Sequence, residues 1–163
     1  MYLACARCTR LYTTTTEHAC MDILTLLQER IPPGVPLEIP PKCFVEMGGE
    51  FLCFDPEARV LVARFPVEAR WQNPTGAMQG GLIVAAIDNT IGPLSYLVAP
   101  PSVTTQLNAT FIRPVTPDEP YIQVTGEVYE ITRRQLHMRA EVHNQAGKLL
   151  ATATASSVIQ KKQ

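Results

Sequence analysis

Residues 80–98 read GGLIVAAIDNTIGPLSYLV, and the way this stretch folds constrains the rest of the chain. It carries one charge, Asp88, on a background that is apolar or small nearly all the way round a helical wheel. That pattern predicts a single core helix, opened by Gly80-Gly81 and bent or ended at Gly92-Pro93. The unbroken apolar run within it, Leu82 to Ile87, is far short of the roughly 20 residues that cross a bilayer, so protein is expected to cover the helix.

The flanks supply the cover. Upstream, Phe44 to Phe54 and Arg59 to Val67 read as two strands joined around Asp55-Pro56-Glu57, where proline fixes the turn. Downstream, Val103, Thr105, Leu107, Ala109 and Phe111 alternate with Thr104, Gln106, Asn108 and Thr110. Ile122, Val124 and Val128 share one face of the next strand. Leu136, Met138, Ala140 and Val142 then alternate with the polar residues His137, Arg139, Glu141 and His143, and Leu149 to Ile159 closes the series. Both histidines therefore read as solvated or interface side chains. The order strand, strand, helix, four strands predicts an α+β domain over residues 41–163, a curved antiparallel sheet wrapped around one central helix.

Residues 1–40 read as an N-terminal extension. The first 20 have no periodicity and include the threonine run Thr13 to Thr16, a leader that need not belong to the natural protein if Met21 is the start. Met21 to Arg30 has the spacing of a short helix, stopped by Ile31-Pro32-Pro33-Gly34, and the proline-rich stretch to Pro41 is expected to run extended.

At 163 residues the chain can bury one core without staples. Hydrophobic residues make up 46%, charged residues 18%, and the net charge is −1, which excludes a nucleic-acid-binding field and points to a small molecule or a second copy as partner. Arg7 and Arg10 interrupt any signal-peptide core, so the expected address is cytoplasmic, with no membrane association. The five cysteines are then expected to be thiols, with Cys43 and Cys53 as core fillers. Cys5-x-x-Cys8 has zinc-ligand spacing, but His18-x-Cys20 is too tight for a second pair, and no metal is expected.

Asp88 is the candidate for chemistry. Val84, Ala85, Ile91 and Gly92 lie one turn from it, with Gly81 and Ser95 beyond, so its face is largely small. An ionised acid on an apolar helix is costly unless it is paired or used. It can act as general base or nucleophile, while the Gly80 and Gly81 N–H groups at the positive end of the helix dipole can hold a developing oxyanion. Equally, it can cap a backbone or pair across a dimer interface.

Asn73-Pro74-Thr75-Gly76-Ala77-Met78-Gln79-Gly80-Gly81, with Asp88 eight positions after Gly80, resembles the signature Asn-Pro-x-Gly-x-x-His-Gly-Gly of hotdog-fold acyl-CoA thioesterases of the PaaI-like, phenylacetate-pathway type. The resemblance runs over about residues 44–159. It implies a hotdog fold, hydrolysis of an acyl-CoA without a cofactor, and homodimers or homotetramers whose active sites use both subunits. It makes Asp88 nucleophile or base, Gly80 N–H the group that polarises the carbonyl, and Asn73 a residue that places water or carbonyl. Gly81 would contribute to substrate binding. Thr104, more than Thr105, is near a position where some relatives carry a polar residue from the partner subunit. Gln79 departs from the usual His: it can hydrogen-bond but not move protons near neutral pH. Arg133-Arg134 suits coenzyme A phosphates, although paired arginines in an exposed turn are commonly just solvated.

Two other functions compete. A binding module that has lost catalysis fits Gln79. A hotdog dehydratase or hydratase would need a histidine near the helix, and none lies between His18 and His137.

Overall fold

The computed structural model describes residues 23–31 and 37–160. Its elements are α1 (Ile23–Arg30), α2 (Lys42–Glu46), β1 (Glu50–Asp55), β2 (Val60–Pro66), a 3₁₀ turn (Ala69–Trp71), α3 (Gly80–Val98), β3 (Ser102–Phe111), β4 (Tyr121–Ile131), β5 (Gln135–Asn144) and β6 (Leu149–Ile159). The strands form one six-stranded sheet in the order β1-β2-β4-β5-β6-β3, antiparallel throughout, and β3 leaves the β2 side to pair with β6 at the far edge. The long helix lies between β2 and β3 in sequence and packs on the concave side of the sheet, mainly against β4.

The core is where the helix meets the sheet. Ile87, Ile91 and Leu94 are fully buried against Leu61, Phe65, Ile122, Val124 and Val128, and each such side chain contributes roughly 1.5–3 kcal/mol relative to exposure. Gly126 of β4 allows the close approach: a Cβ there would stand 3.1 Å from the Ile91 side chain. By length and composition α3 is apolar enough to cross a membrane, and half of it is buried inside this fold. Pro93 sits within the helix, which runs on to Val98 instead of ending at Gly92. From the N-terminal extension, Ile23 and Leu27 of α1 join the same core.

Three expectations need correction. The first strand does not begin at Phe44: Lys42–Glu46 is a helical turn after Pro41, and Phe44 swings inward to stack on Phe51 at 4.3 Å and meet Phe65 edge-on at 5.6 Å. Cys43, on the opposite side of that turn, is an exposed thiol and not a core filler. Cys53, in β1, is half-buried. The leader (residues 1–20) and the Cys5, Cys8, His18, Cys20 set also lie outside the described residues.

The third correction matters for the site. The register of β3 against β6 shifts between Thr104 and Gln106, so Thr105 is an extra residue, a β-bulge. With side chains alternating, one inserted residue exchanges the faces. Ser102 and Thr104 therefore turn toward the helix side together with Leu107 and Ala109, while Val103 is 48% exposed. An uninterrupted alternation would have put Val103 and Thr105 inside.

Candidate active site

The motif loop is a small closed structure. Asn73 Oδ1 accepts hydrogen bonds from the Thr75 N–H at 2.9 Å, the Thr75 hydroxyl at 2.7 Å and the Ala77 N–H at 3.1 Å. Asn73 N–H donates to the Ala77 carbonyl and Gly76 N–H to the Asn73 carbonyl. The loop is anchored at its end by Met78 N–H on Val115 O and Gln79 N–H on Trp71 O. Asn73 thus works first as the staple of its own loop, a use of its side-chain oxygen that the motif alone did not reveal.

That loop delivers the chain to the helix N-terminus. Gln79 is the N-cap residue but its side chain makes no capping bond, and it is exposed. Gly80 and Gly81 N–H groups have no protein acceptor among the described residues, as expected for a first helical turn. The two glycines differ. A Cβ on Gly80 would stand 3.0 Å from the Phe111 ring, whereas one on Gly81 would meet nothing within 4 Å.

Asp88 lies two turns further on. Within this chain it is exposed, on the side of α3 opposite Ile83, Ile87, Thr90 and Leu94. The burial cost invoked from the sequence is therefore not borne within one subunit. Thr104 Oγ1 donates to Asp88 Oδ1 at 3.3 Å. The bulge explains which threonine arrives: Thr104 is turned to the helix, while the Thr105 hydroxyl donates back to the Ser156 carbonyl at 3.1 Å. Thr104 and Asp88 thus meet within one chain.

The loop half and the carboxylate half are not brought together. Eight helical residues separate Gly80 from Asp88, a rise of about 12 Å, too far for both to act on one carbonyl. The Gly80 end of the helix lies beside Phe111 and the Asp88 position beside Thr104, so the two halves face opposite ends of β3.

Arg133 and Arg134 are exposed in the β4–β5 turn, which Thr132 closes through bonds to Gln135. Thr104 and Leu136 both pair with Ser157, so this turn is two strands, about 10 Å, across the sheet from Thr104. The arginines therefore belong to the carboxylate end. His137 and His143 are on β5. His143 is largely buried beside Glu141, and burial holds its imidazole pKa below the usual value despite that acid. Among the described residues no three His, Cys, Asp or Glu side chains are grouped to hold a metal ion.

The sequence pattern did not disclose a cavity of about 310 Å³ alongside Asp88. One wall is the Asp88, Gly92 and Tyr96 face of α3, and the other comes from the extension: Leu27, Leu37 and Ile39. Tyr96 is half-buried and its phenol pKa is raised by that burial.

Comparison with known proteins agrees with this architecture. The model of the thioesterase superfamily matches residues 75–151. A phenylacetic acid degradation-related protein from Ralstonia eutropha JMP134 superposes with a TM-score of 0.71 at 25% identity, covering 84% of this chain and 98% of that one. The PaaI protein of the Escherichia coli phenylacetic acid degradation operon gives 0.70 at 18% identity over 76% of this chain and 88% of its own. A Streptococcus pneumoniae TIGR4 protein described as a hypothetical thioesterase, in a crystal structure with coenzyme A, gives 0.64 at 19% over 71% and 88%. No curated protein sequence matches.

Proposed function

We propose that this chain, which has the hotdog fold of PaaI-like proteins and whose residues 75–151 match the thioesterase superfamily model, hydrolyses a small acyl-CoA, with Asp88 as the reacting carboxylate. The observation that carries the reading is the Asp88–Thr104 pair at the side of an apolar cavity. An exposed acid with one light tether is free to meet a substrate, and the cavity gives an acyl group somewhere to lie.

In the reaction, Asp88 acts as general base for water, or attacks the thioester carbonyl itself. The carbonyl oxygen takes up negative charge, the carbon–sulfur bond breaks, and the thiolate leaves and is protonated. As base, Asp88 takes a proton from water and returns it to the departing thiolate, leaving the water oxygen in the product acid; as nucleophile it forms an acyl–aspartyl anhydride, which water then hydrolyses to release the acid and regenerate the carboxylate. Thr104, donating to Oδ1, biases the carboxylate toward a rotamer that leaves Oδ2 open for the reaction.

The developing oxyanion needs donors, and the Gly80 and Gly81 N–H groups of the same chain are two helical turns away. We assign those donors to a second copy, placing the loop half of one subunit against the carboxylate half of another. A homodimer is then the smallest active form, and Arg133 and Arg134 lie at the end of the sheet where the coenzyme A phosphates would extend. The reading carries with it a cytoplasmic address and no cofactor.

The test is an acyl-CoA panel followed by detection of free thiol. Turnover by the wild type that disappears in Asp88→Asn, with folding and acyl-CoA binding retained, supports the reading. Binding without turnover in the wild type would instead favour the non-catalytic module suggested by Gln79.

A further inference from the structure

We propose that Leu37, Ile39 and Gly92 together set which acyl group is accepted: Leu37 and Ile39 face the Asp88–Gly92–Tyr96 side of α3 across a mainly apolar, size-limiting acyl pocket without a cation. This rests on the reading of Asp88 as the reacting acid.

The geometry carries the argument. Asp88, Gly92 and Tyr96 are spaced by about one turn each, so they form one line on the helix, with a rise of about 12 Å along the axis from residue 88 to residue 96. All three line the same cavity. Gly92 is the floor at its middle, and a Cβ built there meets nothing within 4 Å, so any side chain at this position projects into open space next to the acid. The opposite wall is supplied by residues ahead of the sheet, where Leu37 is 38% exposed and therefore not locked into the core.

Chemistry limits the occupant. Among the described residues the charged side chains on the lining are both acids, Asp88 and Glu38, and Glu38 pairs with exposed Lys42 at 3.5 Å. A second carboxylate on the acyl group would meet repulsion and no lining cation. Tyr96 is a neutral phenol at ordinary pH, and burial raises its pKa further, so the far end of the pocket has no charge to offer either. The class selected is an apolar acyl group long enough to pass Gly92, with ω-carboxylated acyl groups rejected.

The test uses the full chain and compares wild type, Gly92→Leu and Leu37→Trp on CoA thioesters from butyryl to decanoyl, phenylacetyl and succinyl. Folding is verified by thermal unfolding. Filling the pocket from either wall should lower the ratio of kcat/KM for the longest acyl groups to that for butyryl by about tenfold or more, the discrimination a few methylenes bring in an apolar pocket. Leu37→Trp guards against misfolding at Gly92, which precedes a proline inside a helix. If the wild type hydrolyses none of these thioesters, the proposed function fails, and the pocket is still read by binding of non-hydrolysable S-alkyl-CoA thioethers: affinity that rises with alkyl length in the wild type and flattens in both variants sustains it. Equal losses for all acyl lengths, no change in either variant, or preference for succinyl would overturn it.

Discussion

The loop half of the site, Asn73 to Gly81, and the carboxylate half, Asp88 with Thr104, are held by different means. In the loop one asparagine oxygen takes three hydrogen bonds and the ends are pinned to Val115 and Trp71. At the acid, an exposed carboxylate has one bond of 3.3 Å from a hydroxyl. The contrast separates two kinds of constraint that a motif writes in the same letters. The loop must be rigid so that backbone N–H groups point outward at a helix start, and its side chains answer to folding. The acid must be available, and it answers to chemistry.

The largest expected effect is at the acid. Asp88→Asn should lower kcat by about 10³-fold, the range of general-base contributions, while stability changes by less than about 0.5 kcal/mol because an exposed group loses little. Loss of stability instead of rate would make Asp88 a structural or interface acid and dissolve the contrast. The separation of the halves gives a sharper form. Gly80→Val crowds the loop half, and mixing it with Asp88→Asn should restore about a quarter of wild-type activity, the statistical yield of intact sites in random two-fold pairs. Mixtures that remain inactive would mean that the two halves do not meet across subunits.

Asn73→Ala probes the other side of the comparison. Removing an acceptor shared by three donors should cost about 1–3 kcal/mol of stability, read by denaturant unfolding, with a smaller effect on the rate of the folded fraction. Thr104→Val should come next, about tenfold in kcat, as the hydroxyl that orients the carboxylate is lost at constant shape. Thr105→Val should change kcat less than twofold, since its hydroxyl serves the Ser156 carbonyl. Equal effects at 104 and 105 would contradict the bulge.

Much of this was legible in the residues, and the failures have local causes. The long helix, its single acid and the six strands follow from apolar periodicity, which burial against a partner surface enforces. The face of β3 was not legible, because one inserted residue at Thr105 reverses the alternation while leaving Val103, Leu107 and Phe111 looking continuous. The helical turn at Lys42–Glu46 is hidden in a composition as suited to a strand; what decides it is Phe44 seeking Phe51 and Phe65. The cavity was invisible for a different reason: its walls come from segments some 50 residues apart, α3 and the extension, and only tertiary packing sets them side by side.

The smallest effect lies outside both halves and serves as their control. His143 is held below its ordinary pKa by burial, with Glu141 opposing. Above about pH 6.5, the unperturbed value, it is neutral folded and unfolded, and its contribution to stability is constant. As the pH falls below that value the unfolded chain takes up a proton that the folded one resists, so stability declines until the pH reaches the depressed folded pKa. His143→Gln should therefore remove a modest part of the acid-side slope of stability while leaving the pH dependence of kcat as in the wild type. A change in the rate profile would tie β5 to the chemistry and break the division between residues that answer to folding and the one acid that answers to reaction.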